Sequence, residues 1–384
     1  MTGTNWELRV QLGAHPVAYP LIRAIGRCGR AVRVPGVGVV VSEAALAREI
    51  LTDTGRFTKT GPGSPADLWT PVVGPSVLLN MEGAAHADLR RKLSALFTPR
   101  AVADLCAKVA DEPMKLLRDD LAAGRPVDLV AVVKDLVGAV ICELVGLPAS
   151  RTGFAEAFAA GTAVTSMVRL GRRTLTQRQV QLGRAALGRL TGPAAHAYAE
   201  ADPRTVPGRM RQLGLTEEEA MGAVAAFVLT GTETLVSYVP RLVALLHDSG
   251  WLSAVAADRS LVDDAVAEAL RCTVPSPVML RSVVADAVVD GVRFAKGDRV
   301  VISTVSAARS LGPFQPRRAH PAAVRQLWFG AGPHFCLGMP LAHAEIRAVL
   351  DTVLDAGPIS IVDRSVSRRV LIPSYHRMVL RRAR

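Results

Sequence analysis

The run Thr216-Glu217-Glu218-Glu219 carries the Thr-x-x-Glu pattern of a capping box and opens an apolar stretch that keeps helical spacing through about residue 247. A helix of this length with so little polar surface does not lie on the outside of a protein, so other elements must wrap it. Its most apolar part, Ala220 to Thr232, falls short of the ~20 residues that a bilayer crossing needs. The expected wrapping is therefore protein, and no membrane span is expected. The 384 residues, 49% hydrophobic and 21% charged, supply enough apolar material for a large core and exclude a disordered chain. The start, Met-Thr-Gly-Thr-Asn-Trp-Glu, lacks the basic residues and apolar run of a signal peptide, which points to the cytoplasm.

Around that helix the periodicity is mostly helical from Ala85 to about His247. Ala31 to Val41 alternates about Pro35-Gly36 as a hairpin does, and Ser42-Glu43 caps a helix beginning at Ala44. Thr58 to Pro75, dense in Pro, Gly and Ser, predicts a long irregular loop. Arg169 to Arg189 is basic but keeps its leucines at helical spacing, as a solvated helix face does. Ser260-Leu261-Val262-Asp263 starts a helix that runs through Arg271, and Pro275 with Pro277 ends it. Strands follow at Val278–Val284, Gly291–Phe294 and Arg299–Thr304, joined by Asp290-Gly291 and Lys296-Gly297-Asp298 turns. A glycine-rich loop covers 329–338, and Pro340 to Leu354 forms a final long helix. Pro240 is expected to interrupt the long helix. With no repeat and no linker, the chain reads as one large domain over 1–384, mainly α with a small β portion (α+β).

The net charge of +12 fits nucleic acid, an anionic membrane or an acidic partner equally. Only six lysines and 4% aromatics argue against the stacking platforms of single-strand binders, so no nucleic-acid partner is expected. Five scattered cysteines with no Cys-x-x-Cys pair make neither a disulfide framework nor a thiolate zinc site. One of them is unlike the rest. Cys336 ends the run Trp328-Phe329-Gly330-Ala331-Gly332-Pro333-His334-Phe335-Cys336-Leu337-Gly338, just before a helix. A helix start carries partial positive charge and free N–H groups, which favour a thiolate. Glycines let the backbone approach a flat ligand, and Phe329 is placed to cover the sulfur.

The run from Phe329 to Gly338 resembles the haem-binding loop of cytochromes P450, Phe-x-x-Gly-x-x-x-Cys-x-Gly, with Phe329, Gly332, Cys336 and Gly338 in register. Thr230-Gly231-Thr232-Glu233-Thr234, a polar cluster inside the apolar helix, is similar to the family's oxygen-activation segment, with Thr230 where alanine is usual. Glu268 and Arg271, by themselves an ordinary ion pair on one helical face, match Glu-x-x-Arg, and Phe314 to Arg318 matches Phe-x-Pro-x-Arg. His86 and Arg90, one turn apart, match a His-x-x-x-Arg pair, and Arg281 a further cationic position. The segment from Ala308 to Trp328 is shorter than usual, and His343 stands where arginine is common.

The resemblance spans about Val32 to the C-terminus and implies a haem b cofactor with Cys336 as axial ligand of the iron. It implies that His86, Arg90, Arg281 and His334 meet the propionates, that Thr234 and Glu233 relay protons, and that Glu268, Arg271 and Arg318 support the loop. The activity implied is monooxygenation, chiefly hydroxylation, plausible in secondary metabolism, with ring closure, coupling, desaturation or a non-catalytic haem scaffold as alternatives. Ala226, Thr230, Val278, Met279 and Ile372 are candidate walls for an apolar small-molecule substrate. Electrons come from NAD(P)H through a ferredoxin or flavodoxin with its reductase, docking near Arg90, Arg91, Lys92 and Arg325.

Overall fold

The computed structural model describes residues 5–147, 150–168 and 174–383, so the basic stretch at 169–173 lies outside the described residues. Sixteen α-helices and ten strands are present among them. The long helix runs over Glu217–Asp248, and its capping box is complete, with Thr216 Oγ1 accepting from Glu219 N–H and the Glu219 carboxylate accepting from Thr216 N–H. It packs against helices Leu129–Val145, Arg151–Thr165, Gln177–Glu200, Val262–Thr273 and Met339–Asp355. This helix is long and apolar enough to cross a membrane, a length the shorter Ala220–Thr232 stretch did not foretell, but 61% of its most apolar window is buried in protein. Its crossing with Arg151–Thr165 needs Gly161, since a Cβ there would stand 2.4 Å from Thr232 Oγ1.

The strands are β1 (Ala31–Val34), β2 (Gly38–Val41), β3 (Phe57–Thr58), β4 (Val127–Asp128), β5 (Met279–Val283), β6 (Ala287–Val289), β7 (Val292–Phe294), β8 (Arg299–Ile302), β9 (Ile359–Val366) and β10 (Tyr375–Arg382). They form a five-stranded sheet in the order β1-β2-β8-β5-β3, a three-stranded sheet β4-β10-β9 and the β6-β7 hairpin. The hairpins about Pro35-Gly36 and Asp290-Gly291 form as expected; Asp290 and Gly291 both take positive φ, 44° and 74°, which the tight turn requires.

Three local expectations are corrected. The Thr58–Pro75 segment is not irregular throughout: Pro65–Val73 is a helix, with Pro65 in the first turn, where no N–H is needed, and Asp67 accepting from Gly63 N–H at 2.6 Å. Pro240 does not end the long helix, because the surrounding residues 235–244 are buried on all sides and packing outweighs one lost backbone bond. Glu43 occupies the N-cap position before Ala44–Thr52 without a side-chain bond, and the Val262 helix follows a short 3-10 turn capped by Asp258, not Ser260.

Candidate active site

The cysteine loop is shaped by its own backbone. Cys336 N–H donates to Phe329 O at 2.9 Å and Phe335 N–H to Gly332 O at 3.0 Å, drawing the two ends of the loop together. Gly332 sits at φ 64°, and a Cβ there would meet Thr52 Cα at 2.9 Å, so the loop presses directly on helix Ala44–Thr52. Gly338 is the N-cap of helix Met339–Asp355, and a Cβ on it would meet nothing within 4 Å, leaving room for a flat group against the backbone. Phe329 contacts the Phe335 ring edge-on at 6.1 Å and the His343 ring at 5.6 Å.

Cys336 is the free cysteine that combines exposure with a helix start. The residue as a whole is exposed, while protein crowds closely around its sulfur. That burial pushes the thiol pKa up, and the Gly338 N–H, the Arg90 guanidinium and the Met339 N–H pull against it. Cys106, Cys142 and Cys272 are raised to about 11, 11 and 12 by burial, as inert core thiols are.

Beside the loop, one carboxylate, Glu82, lies among the basic residues Lys59, His86, Arg281 and His334. His334 Nε2 pairs with Glu82 Oε2 at 2.7 Å, and its ring lies 4.2 Å from that of His86. Glu82 also accepts from Lys59 N–H at 2.8 Å. Burial and the neighbouring cations lower His86 to about 4, Lys59 to about 7 and Arg281, by burial alone, to about 10. His86 Nε2 and Arg281 Nε are buried with no hydrogen-bond partner. Arg90 differs from the sequence expectation, since its guanidinium donates to Phe335 O at 2.6 Å and so braces the loop itself. Such a cluster has the donors and the charge deficit that two further carboxylates would satisfy, which is the chemistry of haem propionates. Glu82 and Lys59 were missed because neither lies in a recognisable spacing; each joins the site only through the fold.

On the long helix, Thr230 Oγ1 donates back to Ala226 O at 2.8 Å and Thr234 Oγ1 to Thr230 O at 3.2 Å, while Thr230 is exposed and Thr234 half-buried. Glu233 points elsewhere: its carboxyl accepts from Thr165 Oγ1 at 2.7 Å on helix Arg151–Thr165. Burial raises its pKa, with the Thr165 bond opposing. Successive helix residues point 100° apart, so Glu233 and Thr234 face different partners, Thr165 and the Thr230 carbonyl. Ala226, Val278, Met279 and Ile372 are all half-buried.

The Glu-x-x-Arg expectation becomes a buried network. Arg271 is 0% exposed and grips Glu268 with two bonds of 2.7 Å, Nε to Oε2 and Nη2 to Oε1. Arg271 also donates to Ala308 O and Gly312 O, both at 2.9 Å. Glu268 further accepts from Gln315 N–H at 2.9 Å and from Arg318 Nε at 3.4 Å, and it pairs with His320 Nε2 at 2.7 Å. His320 was not foreseen. It touches Trp328 edge-on at 5.7 Å, linking the network to the residue before the cysteine loop.

Comparison with known proteins agrees with this geometry. The sequence pattern of the family described as Cytochrome P450 matches residues 254–356. The chain is 30% identical over 344 residues to erythromycin C-12 hydroxylase of Saccharopolyspora erythraea, covering 84% of this chain and 82% of that one. It is also 30% identical over 382 residues to cytochrome P450 monooxygenase PikC of Streptomyces venezuelae, covering 93% and 87%. Among solved structures, a mutant of P450 EryK in complex with erythromycin B superposes with a TM-score of 0.81 at 24% identity, over 97% of each chain. With two relatives at this identity along most of its length, and a fold and cysteine loop to match, the chain belongs to the cytochrome P450 family: a haem-dependent monooxygenase of the kind that serves secondary metabolism.

Proposed function

We propose that this enzyme hydroxylates a largely apolar small molecule in the cytoplasm, with haem b held through Cys336. The observation that carries the reading is Cys336, exposed at a helix start with its sulfur facing backbone N–H groups of Gly338 and Met339. The thiol needs a cation at sulfur to ionise fully against its surroundings, and a coordinated metal has that effect. His86, Arg281, Lys59 and His334 would hold the propionates, with Glu82 fixing the His334 ring. When bound, the haem would supply the iron-based oxygen chemistry by which O₂, two electrons and two protons yield one hydroxylated C–H bond and one water.

The chain's own part is positioning and proton supply. Thr234 holds a hydroxyl proton on the cleft side of the long helix. Glu233, whose pKa burial raises, is the proton reserve one residue away, and its Thr165 partner must exchange for it to deliver. Thr234→Ala is expected to keep O₂ uptake while product per O₂ falls about tenfold or more, the remainder appearing as hydrogen peroxide. Coupling equal to wild type in an oxygen-electrode and product assay would remove Thr234 from this role.

Ala226, Thr230, Val278, Met279 and Ile372 form an apolar wall with one hydroxyl, which suits a mostly apolar substrate bearing a polar group. Of the relatives named above, one is an erythromycin C-12 hydroxylase and the other a monooxygenase by name, which supports oxygenation of a small molecule. For electrons we assign NAD(P)H through a ferredoxin or flavodoxin reductase pair. The cationic face of Arg90, Arg91, Lys92 and Arg325 suits an acidic donor, although Asp88 is already paired with Arg91 and, at 3.0 Å, with Lys92. Raising salt from low to molar ionic strength is therefore expected to slow donor-dependent reduction by about tenfold. Stopped-flow reduction rates that stay flat with salt for every acidic donor would contradict this docking.

A further inference from the structure

A second buried and heavily bonded guanidinium, besides Arg271, is Arg241, on the long helix two turns beyond Thr234 and 1% exposed. Its Nε donates to Glu7 Oε2 at 3.0 Å, and its Nη2 reaches the other Glu7 oxygen. Nη2 also donates to Thr273 O at 2.8 Å, and Nη1 to Pro373 O and Ser237 Oγ, both at 3.2 Å. Ser237 Oγ itself donates to Pro373 O at 2.6 Å. A buried ion pair is a poor device for stability alone, because apolar residues of the same volume do as well. What distinguishes this pair is which two backbone carbonyls it holds.

Pro373 adjoins Ile372 on the connection between β9 and β10. Thr273 precedes Val274, a β-branched residue held at φ 42°, a conformation that costs energy and persists only where its surroundings impose it. From Val274 the chain passes Pro275 and Pro277, whose fixed φ angles make the segment stiff, to Val278 and Met279. One guanidinium thus anchors the roots of both segments that carry the apolar wall. Glu7 orients it from the N-terminal helix Trp6–Ala14, and that helix grips the same connection directly. Arg369 N–H donates to Gly13 O at 3.0 Å, and His15 Nε2 lies 3.0 Å from Leu371 O. A Cβ on Gly13 would stand 2.9 Å from Ser367 O, so the approach leaves no slack.

We infer that the Glu7–Arg241 pair is a specificity-positioning clamp, through which the N-terminal helix sets the spacing of the 273–279 and 371–375 walls of the substrate cavity. The inference rests on the reading that Val278, Met279 and Ile372 line that cavity. It predicts that loosening the clamp changes what the cavity accepts without changing how the haem is held.

The test uses the haem-loaded enzyme and two iron ligands of different reach: imidazole, which touches little beyond the metal, and 4-phenylimidazole, which extends toward the walls. Ser237→Ala removes one anchor of Pro373 and leaves the ion pair intact; Arg241→Met removes the ion pair and the guanidinium's bonds to both Thr273 O and Pro373 O, leaving only the Ser237 bond. Soret titrations are expected to give imidazole affinities within twofold of wild type. The ratio of the two affinities should shift at least threefold in Ser237→Ala and tenfold in Arg241→Met. Hydrogen exchange at residues 274–279 and 371–375 should rise in parallel, with 329–338 unchanged. An unaltered affinity ratio in Ser237→Ala, with exchange at both segments also unaltered, would overturn the clamp, even if Arg241→Met proved too unstable to study. Absence of any Soret response to imidazole in the wild type would instead strike at the haem assignment, and the exchange data would still decide the clamp.

Discussion

Glu268→Ala is expected to destabilise the protein by about 3–5 kcal/mol, because it strands Arg271 as an unpaired charge in a site with no exposure. Set against a typical total of 5–15 kcal/mol, that loss empties much of the folded population. Arg271 would keep its carbonyl partners at Ala308 and Gly312, while His320, Arg318 and the Gln315 N–H all lose their acceptor. The damage would pass through His320 and Trp328 to the cysteine loop, so haem occupancy should fall with stability. Denaturant unfolding and the haem-to-protein absorbance ratio measure both; a change below about 1 kcal/mol would show that the network is not what holds this region.

The same carboxylate sets an acid limit. Burial alone would raise its pKa, but the bonds from Arg271, His320 and the Gln315 N–H hold it at about 2. A carboxyl depressed in the folded state contributes its stability above the unfolded value near 4.5, and loses it as pH falls toward 2. The wild type should therefore shed on the order of 3 kcal/mol through this group over that window, and Glu268→Gln should not.

Cys336→Ser is expected to keep the fold and abolish the chemistry. The residue is exposed and is not part of the apolar core, so thermal stability of the haem-free protein should move by less than about 1 kcal/mol. A serine hydroxyl does not ionise here even with help from Gly338 and Met339, so the electron-rich ligand is lost. Oxygenation should fall by roughly a thousandfold or more, equivalent to about 4 kcal/mol of barrier. Product formation at a tenth of the wild-type rate or better would remove Cys336 from the proposed ligand role.

How much of this was legible in the sequence follows from the range of the interactions. The long helix, its cap, the cysteine loop and the Glu268–Arg271 pair each declare themselves within a dozen residues, so local pattern sufficed. Helix Pro65–Val73 hid behind its prolines, because Pro65 is permitted at a helix start and only the structure shows that Pro71 is tolerated inside. The β9–β10 pair was not foreseen, and β3 meets β5 across more than two hundred residues; no short-range signal encodes either. The site shows the same division. Cys336, His86 and Arg281 stand in recognisable spacings, whereas Glu82, Lys59 and His320 come into place only when separate segments fold together. The Thr165 partner of Glu233 belongs to the same group: it lies 68 residues away in the chain and meets the carboxyl only through helix packing.

The most direct measurement on the central claim is the absorption spectrum of the purified, haem-loaded protein after dithionite reduction under carbon monoxide. The account predicts a Soret band displaced far to the red of any histidine-ligated haem, present in the wild type and lost in Cys336→Ser. A wild-type band at the position of thiol- or histidine-ligated haem, or failure to retain haem at all, would contradict it.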